Sequence, residues 1–137
     1  MVTTITENAR QLCLPPLLES AAAMRHAVGI VLQGMGADPE ETADMVLAAS
    51  EAFNNAICHG SNGSSDPLWV GIESVGMEIV VTLAYRGASF PLVPPSLPKA
   101  DQSHGRGRYL MEQLTDCVSY TFEQGETYVE LRKRLRG

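Results

Sequence analysis

The order of patterns along this chain predicts an α+β domain, a two-layer sandwich with helices on one face of a mixed, mostly antiparallel sheet. Three observations carry the prediction. Two apolar runs of strand composition flank Gly76 and two more flank Gln124-Gly125, so each pair reads as a hairpin. Two stretches of 3.6-residue periodicity precede the first hairpin and a third lies between the hairpins. A short alternating segment comes before them all. No repeat, low-complexity tract or linker divides residues 1–137, which read as one domain with its core over about residues 9–135.

Each element has its own warrant. Ala9 to Leu14 alternates weakly as a first strand and stops at Pro15-Pro16. Leu17 to about Leu32 carries Leu18, Ala21, Met24, Val28 and Leu32 at helical spacing, with Gly34 and Gly36 ending the helix. Asp38-Pro39-Glu40-Glu41 opens a second helix, with an Asp cap, proline at the first position and two acids in the first turn. That helix is expected to run through Ala43, Val46, Leu47, Phe53 and Ile57 to Gly60. Ser61 to Asp66 is a loop. Leu68 to Val75 and Met77 to Tyr85 form the first hairpin. Arg86 to His104 holds Pro91, Pro94, Pro95 and Pro98, too irregular for an element and of a length that often serves as a lid. A third helix with Leu110, Met111 and Leu114 at apolar spacing leads into Cys117 to Glu123 and Thr127 to Leu135, the second hairpin.

Composition narrows the functions available. A chain of 137 residues can bury a real core, and 45% hydrophobic with 19% charged residues is a globular balance. A formal charge of −6 argues against nucleic acid or an anionic membrane as the main partner. The basic run Arg132-Lys133-Arg134, with Arg136, reads as the solvated end of a strand. There is no run of 18 apolar residues to span a membrane, and the first residues lack a signal peptide's basic start and apolar core. Cys13, Cys58 and Cys117 are odd in number and widely spaced, so they read as buried thiols in a reducing cytoplasm.

Two segments carry chemistry. Glu51, Asn55 and His59 recur every fourth residue and would form one polar row on the second helix. Such a row is commonly just the solvated side of an amphipathic helix. A carboxylate next to a neutral oxygen ligand could instead activate a hydroxyl or water beside Mg²⁺. About 45 residues later, Gly105-Arg106-Gly107 opens a helical pattern. Alone it is an ordinary glycine loop. A glycine turn leading into a helix, however, presents free N–H groups and the positive end of the dipole to phosphate.

Together the two segments resemble motifs of the anti-sigma factor serine/threonine kinases of bacteria. That family lies within the ATPase superfamily shared by gyrase, the ninety-kilodalton heat-shock chaperones and histidine kinases. Glu51-x-x-x-Asn55-x-x-x-His59-Gly60 is similar to the family's N-box, and Gly105-x-Gly107 with Leu110-Met111 and Leu114-x-Asp116 resembles its second glycine box. The match in element order and spacing covers roughly residues 10 to 135 and implies the histidine-kinase-like ATPase fold. It implies Glu51 as general base toward a substrate serine hydroxyl and Asn55 as ligand to the Mg²⁺ that bridges the ATP phosphates. Gly105, Arg106, Gly107 and Arg108 would line the nucleotide, the two glycines through their backbone N–H groups, with the lid folding over it. His59 would be structural. The resemblance also implies an anti-anti-sigma protein as phospho-acceptor, a sigma factor as second partner, a homodimer and a cytoplasmic setting. Arg25 and His26 on the first helix are the candidate partner contact.

One position departs from the pattern. The family's first glycine box places Asp-x-Gly at the end of the strand, with the carboxylate accepting from the adenine amino group. Here the segment reads Tyr85-Arg86-Gly87. A phenol there could fill the adenine site or stack on the base, and losing a charge-assisted hydrogen bond costs about 1.5–3 kcal/mol. Two functions follow, an ATP-dependent anti-sigma kinase or a nucleotide-independent binder of the same fold with a degraded site.

Overall fold

The computed structural model describes residues 2–6, 9–60, 66–86 and 103–136. Six strands form one sheet: β1 (Val2–Thr6), β2 (Ala9–Leu14), β3 (Leu68–Val75), β4 (Glu78–Arg86), β5 (Cys117–Glu123) and β6 (Glu126–Arg134). Their spatial order is β1-β2-β3-β4-β6-β5, and every neighbouring pair is antiparallel. Helices α1 (Ser20–Gly34), α2 (Pro39–Asn55) and α3 (Ser103–Leu114) complete the α+β architecture. The expected lid falls largely on residues 87–102, outside the described residues, and Gly87 lies there too.

Alternation decides which sheet face meets the helices. Ile79, Val81, Leu83 and Tyr85 of β4 share one face with Val129 and Leu131 of β6, and all six are buried. Met24, Val28 and Leu32 of α1 and Met45, Ala48, Ala52 and Phe53 of α2 close the same core. Phe53 is wholly buried, a contribution of about 1.5–3 kcal/mol relative to exposure. The opposite face carries exposed Trp69 and a cleft over Gly71 lined by Gln11, Glu73 and Thr82.

Turn chemistry agrees with the expected hairpins. Gly76, at φ 60°, opens the two-residue turn between Val75 and Glu78, where a Cβ would be strained. Gln124 and Gly125 both have positive φ, as a two-residue hairpin turn of the primed kind requires. At the end of α1, Ala37 N donates to Leu32 O and Gly36 N to Gln33 O, the paired bonds of a Schellman stop.

Several boundaries differ from expectation. The strand β1 was not foreseen, because Val2–Thr6 is polar at three of five positions. Helix α1 starts at Ser20 and leaves Leu18 exposed, since Leu17 and Leu18 belong to a turn after Pro15. On α2 the core stripe is Met45, Ala48, Ala49, Ala52 and Phe53, while Leu47 is exposed. Three of those five residues are alanines, a stripe that apolar periodicity of large residues overlooks. The cysteines are free as expected but not buried: Cys58 and Cys117 are exposed and Cys13 is partly so.

Candidate functional site

Helix α2 is the platform of the site, and its start is firmly anchored. Asp38 Oδ1 accepts from Glu41 N at 2.8 Å and Glu41 Oε1 accepts from Asp38 N at 3.0 Å, a reciprocal capping box with Pro39 at the first position. The basic C-terminus, with Arg134 and Arg136 exposed at and beyond the end of β6, also ties onto this helix. Arg136 pairs with Asp38 at 2.9 Å, and Lys133 Nζ lies 3.6 Å from Asp44 while donating to Leu114 O at 3.1 Å.

Those last contacts orient the helix. Asp44 looks toward the end of α3, and Glu51 and Asn55 follow it at i+7 and i+11, along the same flank. The opposite flank carries Ser50, which accepts from Arg25 of α1 at 3.4 Å, and Val46, which packs beside Gly29. Thus α2 lies between α1 and α3, and Glu51 and Asn55 are half-buried on the α3 side. Arg25, named from the sequence with His26 as the candidate partner contact, is exposed and donates through Nη1 to Ser50 Oγ at 3.4 Å, and His26 beside it is exposed.

The expected row does not continue unchanged to His59. Ala56–Gly60 form a single π-helical turn immediately after Asn55. An i→i+5 turn breaks the four-residue repeat, so Asn55 is the last member of the α-helical row. Such π-turns recur at functional sites because they re-aim the residues around them. The His59 side chain lies outside the described residues.

The glycine pair also sits differently from expectation. Helix α3 begins at Ser103, so Gly105 and Gly107 lie within its first turn and a half, not in a turn ahead of it. The first N–H groups of a helix have no intrahelical partner, which leaves Gly105 among the available donors. The side chains of Arg106 and its neighbours before Arg108 lie outside the described residues.

Three strands bring Tyr85, Thr127 and Tyr120 together, and Arg108 of α3 joins them. Tyr85 ends the inward row of β4 and is 3% exposed; Thr127 faces it directly across the β4–β6 pairing and is fully buried. Burial, with a smaller contribution from neighbouring Tyr120, pushes the Tyr85 phenol up to about 12, so it stays a neutral hydroxyl. Thr127 moderates that rise, yet its Oγ1 has no geometrically sound hydrogen-bond partner. The pairing is therefore electrostatic proximity, not a formed bond. On β5, the Arg108 guanidinium lies over the Tyr120 ring with Cζ 4.9 Å from its centroid. Burial raises the Tyr120 phenol, Arg108 opposes the rise, and Glu112 one turn along α3 adds to it.

Thr127 and Tyr120 escaped sequence reasoning. The available signal was the alternation of Thr127 with Val129 and Leu131, which points a hydroxyl into the core. Among the described residues no cluster of three or more His, Cys, Asp or Glu is placed to hold a metal. A cation here would be of the Mg²⁺ kind, held by one or two protein oxygens and completed by substrate phosphates. Asn55, half-buried beside Glu51 on the flank facing α3, fits that role. The base end fits less well, because a buried neutral phenol stands where an acceptor carboxylate would be wanted.

Comparisons with known proteins converge on this architecture. Residues 14–133 match a family described as the histidine kinase-like ATPase domain. The structure of the RsbU and RsbW domains of Rv1364c from Mycobacterium tuberculosis superposes with a TM-score of 0.73 at 22% identity, over 93% of this chain and 32% of that one. This chain thus spans about a third of that protein's solved length. The SiaB-SiaC complex from Pseudomonas aeruginosa gives a TM-score of 0.57 at 18% identity, over 90% of this chain and 88% of that one. At such identities the likeness is one of fold. No curated protein matches the sequence.

Proposed function

From the premise that the chain belongs to the histidine kinase-like ATPase domain family, we propose that it is an anti-sigma regulatory factor. In this reading it binds ATP with Mg²⁺ and phosphorylates a serine or threonine of an anti-anti-sigma partner. The observation that carries the reading is the shared flank of Glu51 and Asn55, half-buried on the side of α2 that faces α3. A module that only sequestered a partner would need neither group.

Each residue has a role in that reading. ATP supplies the phosphoryl group and Mg²⁺ neutralises charge on its phosphates, so the protein's task is positioning and charge stabilisation. Glu51 accepts the proton from the partner's hydroxyl as its oxygen bonds to phosphorus and the bond to ADP breaks. Asn55 offers a neutral oxygen to the cation. The first-turn N–H groups of α3, Gly105 among them, face the phosphates with the positive end of the helix dipole. The likeness to the structure of the RsbU and RsbW domains and to the SiaB-SiaC complex supports a protein ligand. A sigma factor as second partner, a homodimer and a cytoplasmic setting belong to the same proposal. Among the described residues no helix is long and apolar enough to cross a membrane.

Tyr85 favours a second reading, a partner-binding regulator of the same fold whose nucleotide site is closed. Calorimetric titration with ATP and Mg²⁺, followed by transfer of labelled phosphate to a purified anti-anti-sigma domain, separates the two. Saturable binding and label on the partner support the kinase. Tight partner binding without either supports the regulator.

A further inference from the structure

Gly71 sits in the middle of β3 without a reason internal to the fold. Its pairing is continuous, with Gln11 on one side and Thr82 on the other, so no bulge requires it. Its φ is not positive, and among the described residues a Cβ there would meet only Thr82 O, at 4.0 Å. Glycine inside a strand gives up stability. With bulge and turn excluded, it marks a place where something from outside approaches the backbone. The space it leaves is a cleft of about 260 Å³ on the sheet face away from the helices.

The lining of the cleft selects its occupant. Gly71 and Val80, which is 5% exposed, make an apolar floor, with Gln11 and Thr82 beside it. Glu73 stands two residues along the same face of β3, and exposed Trp69 two residues the other way. Aromatic ring, gap and carboxylate thus form one row about 13 Å long. On β4 and β6, Glu78, Glu126 and Glu130 each have an arginine within 3.6 Å. Glu73 has no such partner among the described residues. Arg10 borders the cleft, but it pairs with Ile72 in register, so its side chain leaves β2 toward the helix-bearing face, and its Nη1 donates to Ala9 O.

We propose that this cleft receives an arginine side chain from a basic segment of a partner protein. The aliphatic stem lies on the floor of Gly71 and Val80, and the guanidinium reaches the Glu73 carboxylate. Arginine suits the site better than lysine, because its planar fork gives a carboxylate two N–H donors and also packs against an indole such as Trp69. A chain with a net charge of −6 draws a basic segment toward it before contact. The cleft and the α2–α3 site lie on opposite faces of the sheet, so the proposal stands whether or not that site takes a nucleotide.

Trp69 is the chain's only tryptophan, so its fluorescence reports on the cleft directly. The test titrates the full chain with the peptide acetyl-Ser-Arg-Ser-Arg-Ser-amide and with its citrulline analogue, which keeps the shape and removes the charge. The expected result is a saturable change in Trp69 emission with the arginine peptide, weakened ten-fold or more with citrulline and by added salt. Glu73→Gln should lose ten-fold or more in affinity and melt like the parent. Gly71→Thr should abolish the response and raise Tm, since the strand gains a β-branched residue in open space. Binding and stability moving in opposite directions is an outcome that a purely structural glycine would not give. No response to the arginine peptide overturns the proposal, and so does an equal response to citrulline. Parent-like binding by Gly71→Thr or Glu73→Gln overturns the placement in this cleft, and a lower Tm in Gly71→Thr shows that the fold itself demands the glycine. An emission change that grows with protein concentration alone, with the mass of two copies in light scattering, gives the cleft to a second copy and overturns the basic partner.

Discussion

Glu41 and Arg136 stand 95 positions apart in sequence, and the Arg136 backbone N–H donates to Glu41 Oε2 at 2.7 Å. The same carboxylate closes the capping box of α2 through Oε1. One buried side chain therefore fixes both the start of the site's platform helix and the end of the chain.

This arrangement predicts an asymmetry. Glu41→Ala leaves two backbone donors without their acceptor and should cost roughly 1–3 kcal/mol, read as a fall in Tm of several degrees. Arg136→Ala keeps the backbone bond and removes only an exposed guanidinium, so its melt should stay near the parent's. Equal losses in the two variants would assign the clasp to the ion pairs instead.

A second prediction concerns alkaline pH. The Tyr85 phenol is raised to about 12 in the fold against 10.0 in the open chain, so the folded state holds its proton where the unfolded state has lost it. That contribution is fully present below pH 10 and disappears as pH climbs toward 12, a loss of about 2–3 kcal/mol. Chemical denaturation at pH 8 and pH 11 should reveal it, and Tyr85→Phe should shrink the difference. A variant with the parent's full pH dependence would place the effect on other phenols such as Tyr120.

The fold was largely legible because its signals are local. The Asp38-Pro39-Glu40-Glu41 start, the turns at Gly76 and Gln124-Gly125 and the inward rows of β4 and β6 each depend on neighbours in sequence. What was not legible depends on packing across it. The π-turn after Asn55, the alanine stripe of α2, the tie between Arg136 and Glu41 and the meeting of Arg108 with Tyr120 need partners from other elements. Glu51 and Asn55 were readable as a pair; that their flank faces α3 is information only the fold supplies.

Glu51 and Asn55 should fail in different ways. Glu51→Ala should abolish transfer to the partner hydroxyl while leaving nucleotide affinity within a few-fold, because a base acts on the acceptor and not on the phosphates. Asn55→Ala should weaken ATP binding with Mg²⁺ far more than without it, because an oxygen ligand acts through the cation. Parallel affinity and transfer assays on both variants check this. If Glu51→Ala loses binding and turnover equally, that carboxylate is architectural; if the parent binds ATP alike with and without the metal, Asn55 is no ligand.

Tyr85 gives the most discriminating substitution, because it is buried against a hydroxyl that lacks a partner. An aspartate there would be shorter, would open space, and would bring an acceptor to the β4–β6 pair where Thr127 Oγ1 can donate. Without ligand the change should destabilise the fold, since a large buried ring is lost and a carboxylate takes its place. With ATP present the order should change. An adenine amino group could donate to the new carboxylate, tightening binding by about 1.5–3 kcal/mol, roughly ten- to a hundred-fold. The gain should be specific to adenine, because guanine carries its amino group at a different ring position. Melts of parent and Tyr85→Asp, each with and without ATP–Mg²⁺ and GTP–Mg²⁺, measure stability and selectivity together. A parent that binds loosely and improves marks a weakened site, whereas a parent with no detectable binding that acquires it marks a site filled by the phenol. If the parent binds ATP tightly and the substitution leaves that affinity unchanged or lowers it, Tyr85 is itself a recognition element that stacks on the base. The correspondence of Tyr85-Arg86-Gly87 with an Asp-x-Gly box would then fail as an account of how this pocket reads its nucleotide.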